Sequence, residues 1–122
     1  QRRDFVSVHD VAQACRLALT TDAAGEVYNV GSGEPRSIRD VAAAVLDVLE
    51  VPLEPVVTGK YRVGDIRHCY ADIERARARL GYEPRVRFED GLRELAQWLE
   101  SAPAQDNFVQ AAKELDRRGL TL

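Results

Sequence analysis

The residues best suited to chemistry lie in one short stretch, where Arg62 and Asp65 are three positions apart with Gly64 between them. An arginine guanidinium can bind a phosphate through paired hydrogen bonds, and a carboxylate can accept hydrogen bonds from sugar hydroxyls. Glycine lets the backbone fold closely around a ligand. The spacing therefore indicates a candidate site for a sugar phosphate, although the motif alone is a weak signal.

The elements that must position this stretch follow an α/β pattern without internal repeats. Apolar residues recurring at helical spacing predict five helices, at about 8–19, 38–49, 73–80, 88–99 and 108–118. Residues rich in β-formers predict strands at 5–8 and 26–30, and a short extended segment at 68–71. Loops are expected at 20–25 and 101–106.

Local signals mark how several of these helices begin and what they bury. Ser37 and Asp40 have the spacing of a capping box, and Asp72 is expected to cap the third helix. The apolar face of the first helix is expected to point into the core, with Cys15 as a small core residue. That face comprises Val8, Val11, Ala12, Cys15 and Leu19.

A glycine-rich turn, Gly31-Ser32-Gly33, joins the second predicted strand to the second helix. Strand, glycine-rich turn and helix together are the arrangement of a phosphate-binding unit. The pattern is not Gly-x-Gly-x-x-Gly, because only two glycines are present. A tight turn without a ligand is therefore favoured over a phosphate contact here.

Composition excludes several classes of function. The 122 residues suffice for one domain, and the net charge of −3 argues against nucleic acid or an anionic membrane as the main partner. No apolar run is long enough for a membrane span or a signal peptide. Cys15 and Cys69 match no metal-ligand spacing and are interpreted as reduced thiols of a cytoplasmic protein. No catalytic constellation involves His9 or His68, and no metal site is expected.

Five segments, taken together, resemble a known family. They are Arg3-Asp4-Phe5-Val6-x-Val8-x-Asp10, the run from Gly25 to Gly33, Arg62-x-Gly64-Asp65, the run from Asp72 to Pro84, and Phe88-Glu89-x-Gly91-Leu92. In order and in register over about residues 2–100, they resemble the extended short-chain dehydrogenase/reductases, the NAD-dependent nucleotide-sugar epimerases and dehydratases. Within that family the chain is most similar to UDP-hexose 4-epimerases.

The resemblance implies roles for individual residues. By similarity to the family motifs, Arg3 and Arg62 would hold the pyrophosphate of a UDP- or dTDP-sugar, Asp65 would bind the ribose, and Phe5 would lie near the nucleotide. Two guanidinium forks facing a diphosphate are charge-assisted and geometrically selective. Surface salt bridges are the less favoured interpretation of the two arginines.

Cys69 stands where this family limits the size of the sugar. In the hexose 4-epimerase branch a Tyr at this position closes the pocket, whereas a Cys or Ser leaves room for an N-acetyl group. The resemblance therefore implies a roomy sugar pocket. A merely buried cysteine is an equally open interpretation.

The chain also departs from the family. None of its four tyrosines has Lys four residues later, and no Gly-x-x-Gly-x-x-Gly loop is present. The resemblance therefore implies a mostly helical C-terminal, substrate-binding portion of a Rossmann-type enzyme, without its N-terminal dinucleotide-binding half. NAD, or NADP, would serve the whole enzyme, and this chain would bind no cofactor, hold no catalytic residue and be inactive alone.

Several expectations follow for organisation and partners. Residues 1–100 would form the substrate-binding portion, and 101–122 a linker and a terminal helix. The chain begins with Gln1 and contains no methionine, so a fragment is expected. Apolar faces that would lie against the missing Rossmann half are expected to be exposed, which predicts that the chain forms a homo-oligomer or is marginally stable. The alternatives are a non-catalytic sugar-nucleotide-binding or regulatory module, and an interaction domain without a small-molecule site.

Overall fold

The computed structural model describes residues 1–22, 25–103 and 106–121, in which a three-stranded sheet is combined with five helices. The strands are β1 (Arg2–Asp4), β2 (Pro35–Ser37) and β3 (His68–Cys69). The helices are α1 (Val8–Thr20), α2 (Ile38–Val48), α3 (Glu74–Leu80), α4 (Phe88–Glu100) and α5 (Phe108–Arg117). The predicted α/β class is confirmed.

The sheet places Arg3 at its centre. The strand order is β2-β1-β3, with β1 antiparallel to β2 and parallel to β3. In this register Arg3 lies opposite Arg36 on one side and Cys69 on the other. Residues far apart in the chain therefore meet across the three short strands.

The helix predictions hold because their signals are local. The Ser37–Asp40 capping box is present in both directions, since each residue's side chain accepts from the other's backbone N–H. Gly81 ends α3 in the left-handed conformation, at φ 67°. The prediction that Asp72 caps the third helix was wrong, because Ile73 is the N-cap of α3; the carboxylate of Asp72, one residue earlier, accepts from the N–H of Glu74.

Two strand predictions were wrong. The first strand covers Arg2–Asp4 instead of 5–8, and residues 26–30 belong to no strand of the described sheet. A strand exists only where a neighbouring strand completes its hydrogen bonds. Gln1 and β1 provide that neighbour for 35–38, whereas no described strand lies beside 26–30.

The core is small and lies between α1 and α3. Its buried members are Ala14, Ile73, Ala76, Leu80 and Tyr82. The predicted orientation of α1 was wrong, because Cys15 is exposed and Leu19 is 87% exposed, while Ala14 is buried. The helix packs on α3 through Ala14, so most of its richest apolar face is turned to solvent.

The loop predicted at 20–25 and the linker predicted at 101–106 lie partly outside the described residues. Residues 49–61 contain no helix or strand, as their prolines predict. Of the helices in the described parts of the chain, none has the length and apolar character to cross a bilayer.

Candidate functional site

The Arg62–Asp65 stretch forms a tight turn. The N–H of Asp65 donates to the carbonyl of Arg62 at 3.2 Å, and Gly64 has φ 79°. A positive φ at the third position of such a turn strongly favours glycine. The N–H of Val63 donates to the carbonyl of Leu120 at 2.9 Å, so the segment after α5 holds this turn in place.

The guanidinium of Arg3 is bound against the same turn. Its Nη2 lies 3.3 Å from Oδ1 of Asp65 and also donates to the carbonyl of Ile66. Its Nη1 donates to the carbonyls of Arg2 and Arg67. The fold thus joins two predicted site residues that are 62 positions apart in sequence.

Arg62 takes a different position from Arg3. It is exposed, and its side chain forms no hydrogen bond or ion pair with the residues that the structure describes. Its backbone pairs with Thr121 in an isolated bridge. Arg62 therefore presents an uncompensated positive charge on the turn whose other end carries Asp65.

Cys69 and its neighbours complete this edge of the sheet. Cys69 is a free, exposed thiol opposite Arg3 in the β1–β3 register, so the interpretation of a buried cysteine is wrong for the described chain. The pKa of His68 is lowered by partial desolvation and by the positive charges of Arg67, Arg2 and Arg3. The edge is thus electropositive, which favours an anion.

Phe5 lies in another cluster. Its ring meets Phe88 edge-on, with centroids 5.7 Å apart, and the guanidinium of Arg36 lies 4.4 Å above the Phe88 ring. Arg36 also pairs with Glu89 at 3.1 Å. None of these contacts involves Arg3 or Asp65, so the position of Phe5 near the nucleotide stays a prediction.

An open apolar groove of about 370 Å³ runs between residues 5–8 and α4. Leu92, Leu95 and Trp98 line its helical side. Trp98 is 63% exposed, which is unusual for the largest apolar side chain of a small domain. The groove contains few polar groups that could orient a ligand.

Sequence reasoning missed two buried polar residues that join distant segments of the fold. Asp10 is buried and accepts from the N–H groups of Arg85 and Val86. The hydroxyl of Tyr82, also buried, donates to the carbonyl of Gly31 at 2.8 Å. Asp10 and Tyr82 both lie inside the segments that resemble the family. Their place in those segments was the only sequence signal that could have singled them out.

The glycine-rich turn is a structural joint. The N–H and the hydroxyl of Ser32 both donate to Oδ1 of Asp4, so neither of these donors is directed to a ligand. A side chain at Gly31 would collide with Asp4 and Ala71. The favoured interpretation of a tight turn thus agrees with the contacts.

Comparison with known proteins identifies the family. The family model described as GDP-mannose 4,6 dehydratase matches residues 1–95. This chain belongs to that family. Its resemblance to NAD-dependent nucleotide-sugar epimerases and dehydratases is therefore confirmed.

Relatives with known activities include both epimerases and dehydratases. The dTDP-L-rhamnose 4-epimerase of Burkholderia thailandensis is 37% identical over 117 residues, which are 95% of this chain and 29% of that protein. Among solved structures, UDP-glucose 4-epimerase from Thermotoga maritima with UDP-glucose has a TM-score of 0.74 and 31% identity. That match covers 81% of this chain and 31% of the other.

A dehydratase gives a similar match. The dTDP-glucose 4,6-dehydratase from Bacillus anthracis in complex with NAD has a TM-score of 0.67 and 27% identity, and the match covers 82% of this chain and 31% of that one. The chain thus spans about 30% of the length of these relatives.

Proposed function

We propose that this chain is the nucleotide-sugar-binding portion of an NAD-dependent epimerase or dehydratase. Residues 1–100 would form the binding portion, and 101–122 a linker and a terminal helix. Arg3 and Arg62 would bind the diphosphate, and Asp65 would accept hydrogen bonds from the ribose. The observation that carries this proposal is the contact between Arg3, on β1, and Asp65, on the turn that also carries Arg62, which has no partner among the described residues.

The charges of this turn suit a diphosphate. Arg62 offers an exposed guanidinium with no described partner, and such a fork binds phosphate oxygens in pairs. The guanidinium of Arg3 is held in place by three backbone carbonyls. A held donor loses less conformational entropy when an anion binds than a free side chain does.

Neighbouring residues would shape the rest of the ligand site. Cys69, exposed beside Arg3, would leave room for a bulky substituent such as an N-acetyl group on the sugar. Phe5 would lie near the nucleotide only if the base reached the Phe5–Phe88 cluster. The free thiols of the two cysteines are consistent with a protein that functions in the reducing cytoplasm.

In the whole enzyme, the chemistry would be a transient oxidation at a sugar carbon with NAD as the hydride acceptor. NADP is the alternative acceptor. The motifs that bind the dinucleotide and move the proton are missing from this sequence, so they would lie in an N-terminal Rossmann half. This chain alone would hold the substrate without converting it.

Titration calorimetry tests the proposal with UDP, UDP-glucose and UDP-N-acetylglucosamine as ligands. Arg62→Ala should weaken the binding of all three, since each carries the diphosphate. Arg39→Ala is the matched control, because Arg39 is also exposed, has no described partner and lies on α2. A UDP affinity that Arg62→Ala and Arg39→Ala change equally would contradict the assignment of Arg62.

A second comparison tests Cys69. Cys69→Tyr should reduce binding of UDP-N-acetylglucosamine more than that of UDP-glucose, because the phenol would fill the space for the N-acetyl group. Equal effects on the two sugars would remove Cys69 from the sugar pocket. If none of the ligands binds the unmodified chain, the proposal that this chain holds the substrate by itself is wrong.

A further inference from the structure

The Asp65 carboxylate lies on the guanidinium that is proposed to bind phosphate. Its Oδ1 is 3.3 Å from Nη2 of Arg3, and the two side chains are 25% (Arg3) and 41% (Asp65) exposed. Among the described residues Asp65 is the one charged partner of Arg3, because the other acceptors are backbone carbonyls. The carboxylate of Asp65 therefore lies on the same guanidinium that would receive a phosphate oxygen.

We propose that Asp65 occupies the anion site of Arg3 and that a diphosphate must displace it. This inference rests on the proposed function and deepens it. Displacement would turn Asp65 away from Arg3 and free its carboxylate to accept hydrogen bonds from the ribose. The phosphate and ribose subsites are therefore coupled through a single side chain. A ligand that has both groups gains more binding free energy than a ligand that has only one of them.

The geometry makes such displacement easy. The contact is a single, long hydrogen bond, whereas strong arginine–carboxylate pairs are bidentate and shorter. Nε of Arg3 donates to no residue within the described ranges, and it shares one edge of the guanidinium with Nη2. A phosphate could use both nitrogens, so it would replace one weak bond with a pair of charge-assisted ones.

The backbone keeps Arg3 in position while its partner changes. Three carbonyls, those of Arg2, Ile66 and Arg67, hold the guanidinium on the sheet side. Asp65 stands at the end of a turn that contains Gly64, and its side chain makes no other described hydrogen bond. The exchange therefore needs only a side-chain rotation of Asp65.

The test measures affinity for inorganic pyrophosphate, which has no ribose, and for UDP. Asp65→Asn removes the competing charge, so it should tighten pyrophosphate binding by about two- to fivefold, the scale of an exposed ion pair. UDP binding should improve by less or weaken, because the variant also loses the charged ribose acceptor. Asp90→Asn is the matched control, since Asp90 is exposed and pairs with Arg93 on α4, away from the turn.

Each outcome decides the proposal. A tighter pyrophosphate affinity in Asp65→Asn, but not in Asp90→Asn, supports the displacement. An unchanged or weaker pyrophosphate affinity, with UDP still bound by the unmodified chain, overturns the displacement and leaves the proposed function standing. Failure of the unmodified chain to bind either ligand overturns both. The melting temperatures of Asp65→Ala and Asp65→Asn are compared to check that a folding defect does not account for a change in affinity.

Discussion

The carboxylate of Asp4 binds Ser32 through two hydrogen bonds to one oxygen, from the N–H at 2.8 Å and from the hydroxyl at 2.6 Å. Its other oxygen accepts from the N–H of Ala71 at 3.2 Å. Asp4 follows the phosphate-binding candidate Arg3 directly. It therefore ties the strand that carries Arg3 to the glycine-rich turn and to the segment after β3.

Asp4→Ala should lower the free energy of unfolding by about 1–3 kcal/mol, because two partly buried N–H groups would lose their acceptor. Urea denaturation measures the effect as a shift of the midpoint. Asp90→Ala removes the same charge from an exposed pair on α4 and should shift the midpoint little. Equal midpoints for the two variants would show that Asp4 is not a joint of the fold.

The ion pair between His9 and Glu94 predicts a dependence of stability on pH. Nε2 of His9 lies 2.7 Å from Oε1 of Glu94, and this hydrogen bond, followed by the charge of Glu94, raises the pKa of His9. The folded state thus binds the proton more tightly than the unfolded state does. The stabilisation is present below a pH of about 6.5, the usual histidine pKa, and is lost as the pH rises through the raised value.

Melting temperatures of the unmodified chain and of His9→Gln, measured at pH 6 and pH 8.5, check this sign. The variant should lose more stability at pH 6 than at pH 8.5. His68→Gln is an internal control for which the pH dependence of the stability change should have the opposite sign. The pKa of His68 is lowered in the folded state, so protonation of His68 destabilises the fold. A difference for His9→Gln that stays constant with pH would contradict the prediction.

Exposed apolar side chains predict that the chain associates with itself. Leu19 is 87% exposed on α1, and Trp98 and Leu99 on α4 are 63% and 52% exposed. Exposed apolar surface of this kind favours association in water. Sedimentation velocity over a range of concentrations should show a rising average mass, and Trp98→Gln should reduce it.

Tyr61→Gln is the control for that experiment, because Tyr61 is 55% exposed but lies in a segment without helix or strand. It should leave the association unchanged. A single compact species at every concentration, with a sharp melting transition, would show that the exposed faces do not drive oligomer formation.

Local patterns predicted the helices, and long-range contacts decided the strands. The capping box of Ser37 and Asp40 is complete within four residues, so it could be recognised without the fold. The strand Pro35–Ser37 contains a proline and two polar residues and carries no strand pattern of its own. Its pairing with β1 supplies the hydrogen bonds that define it.

The same distinction applies to α1. Helical periodicity predicted its length, but the exposed Cys15 and the buried Ala14 show that the predicted face was wrong. Hydrophobic spacing assumes that the richest apolar stripe is buried. Here the packing partner α3 contacts a neighbouring stripe that also contains the buried, hydrogen-bonded Asp10.

The sequence by itself determined the family, the helices and the identity of the candidate site residues, because each rests on motifs or periodicities that span a few positions. Only the tertiary structure decided that Asp65 contacts Arg3, that Asp4 holds Ser32, and that Phe5 packs against Phe88. Contacts across 28 to 62 residues depend on how strands and turns are placed in space. Neither residue type nor local spacing records that placement.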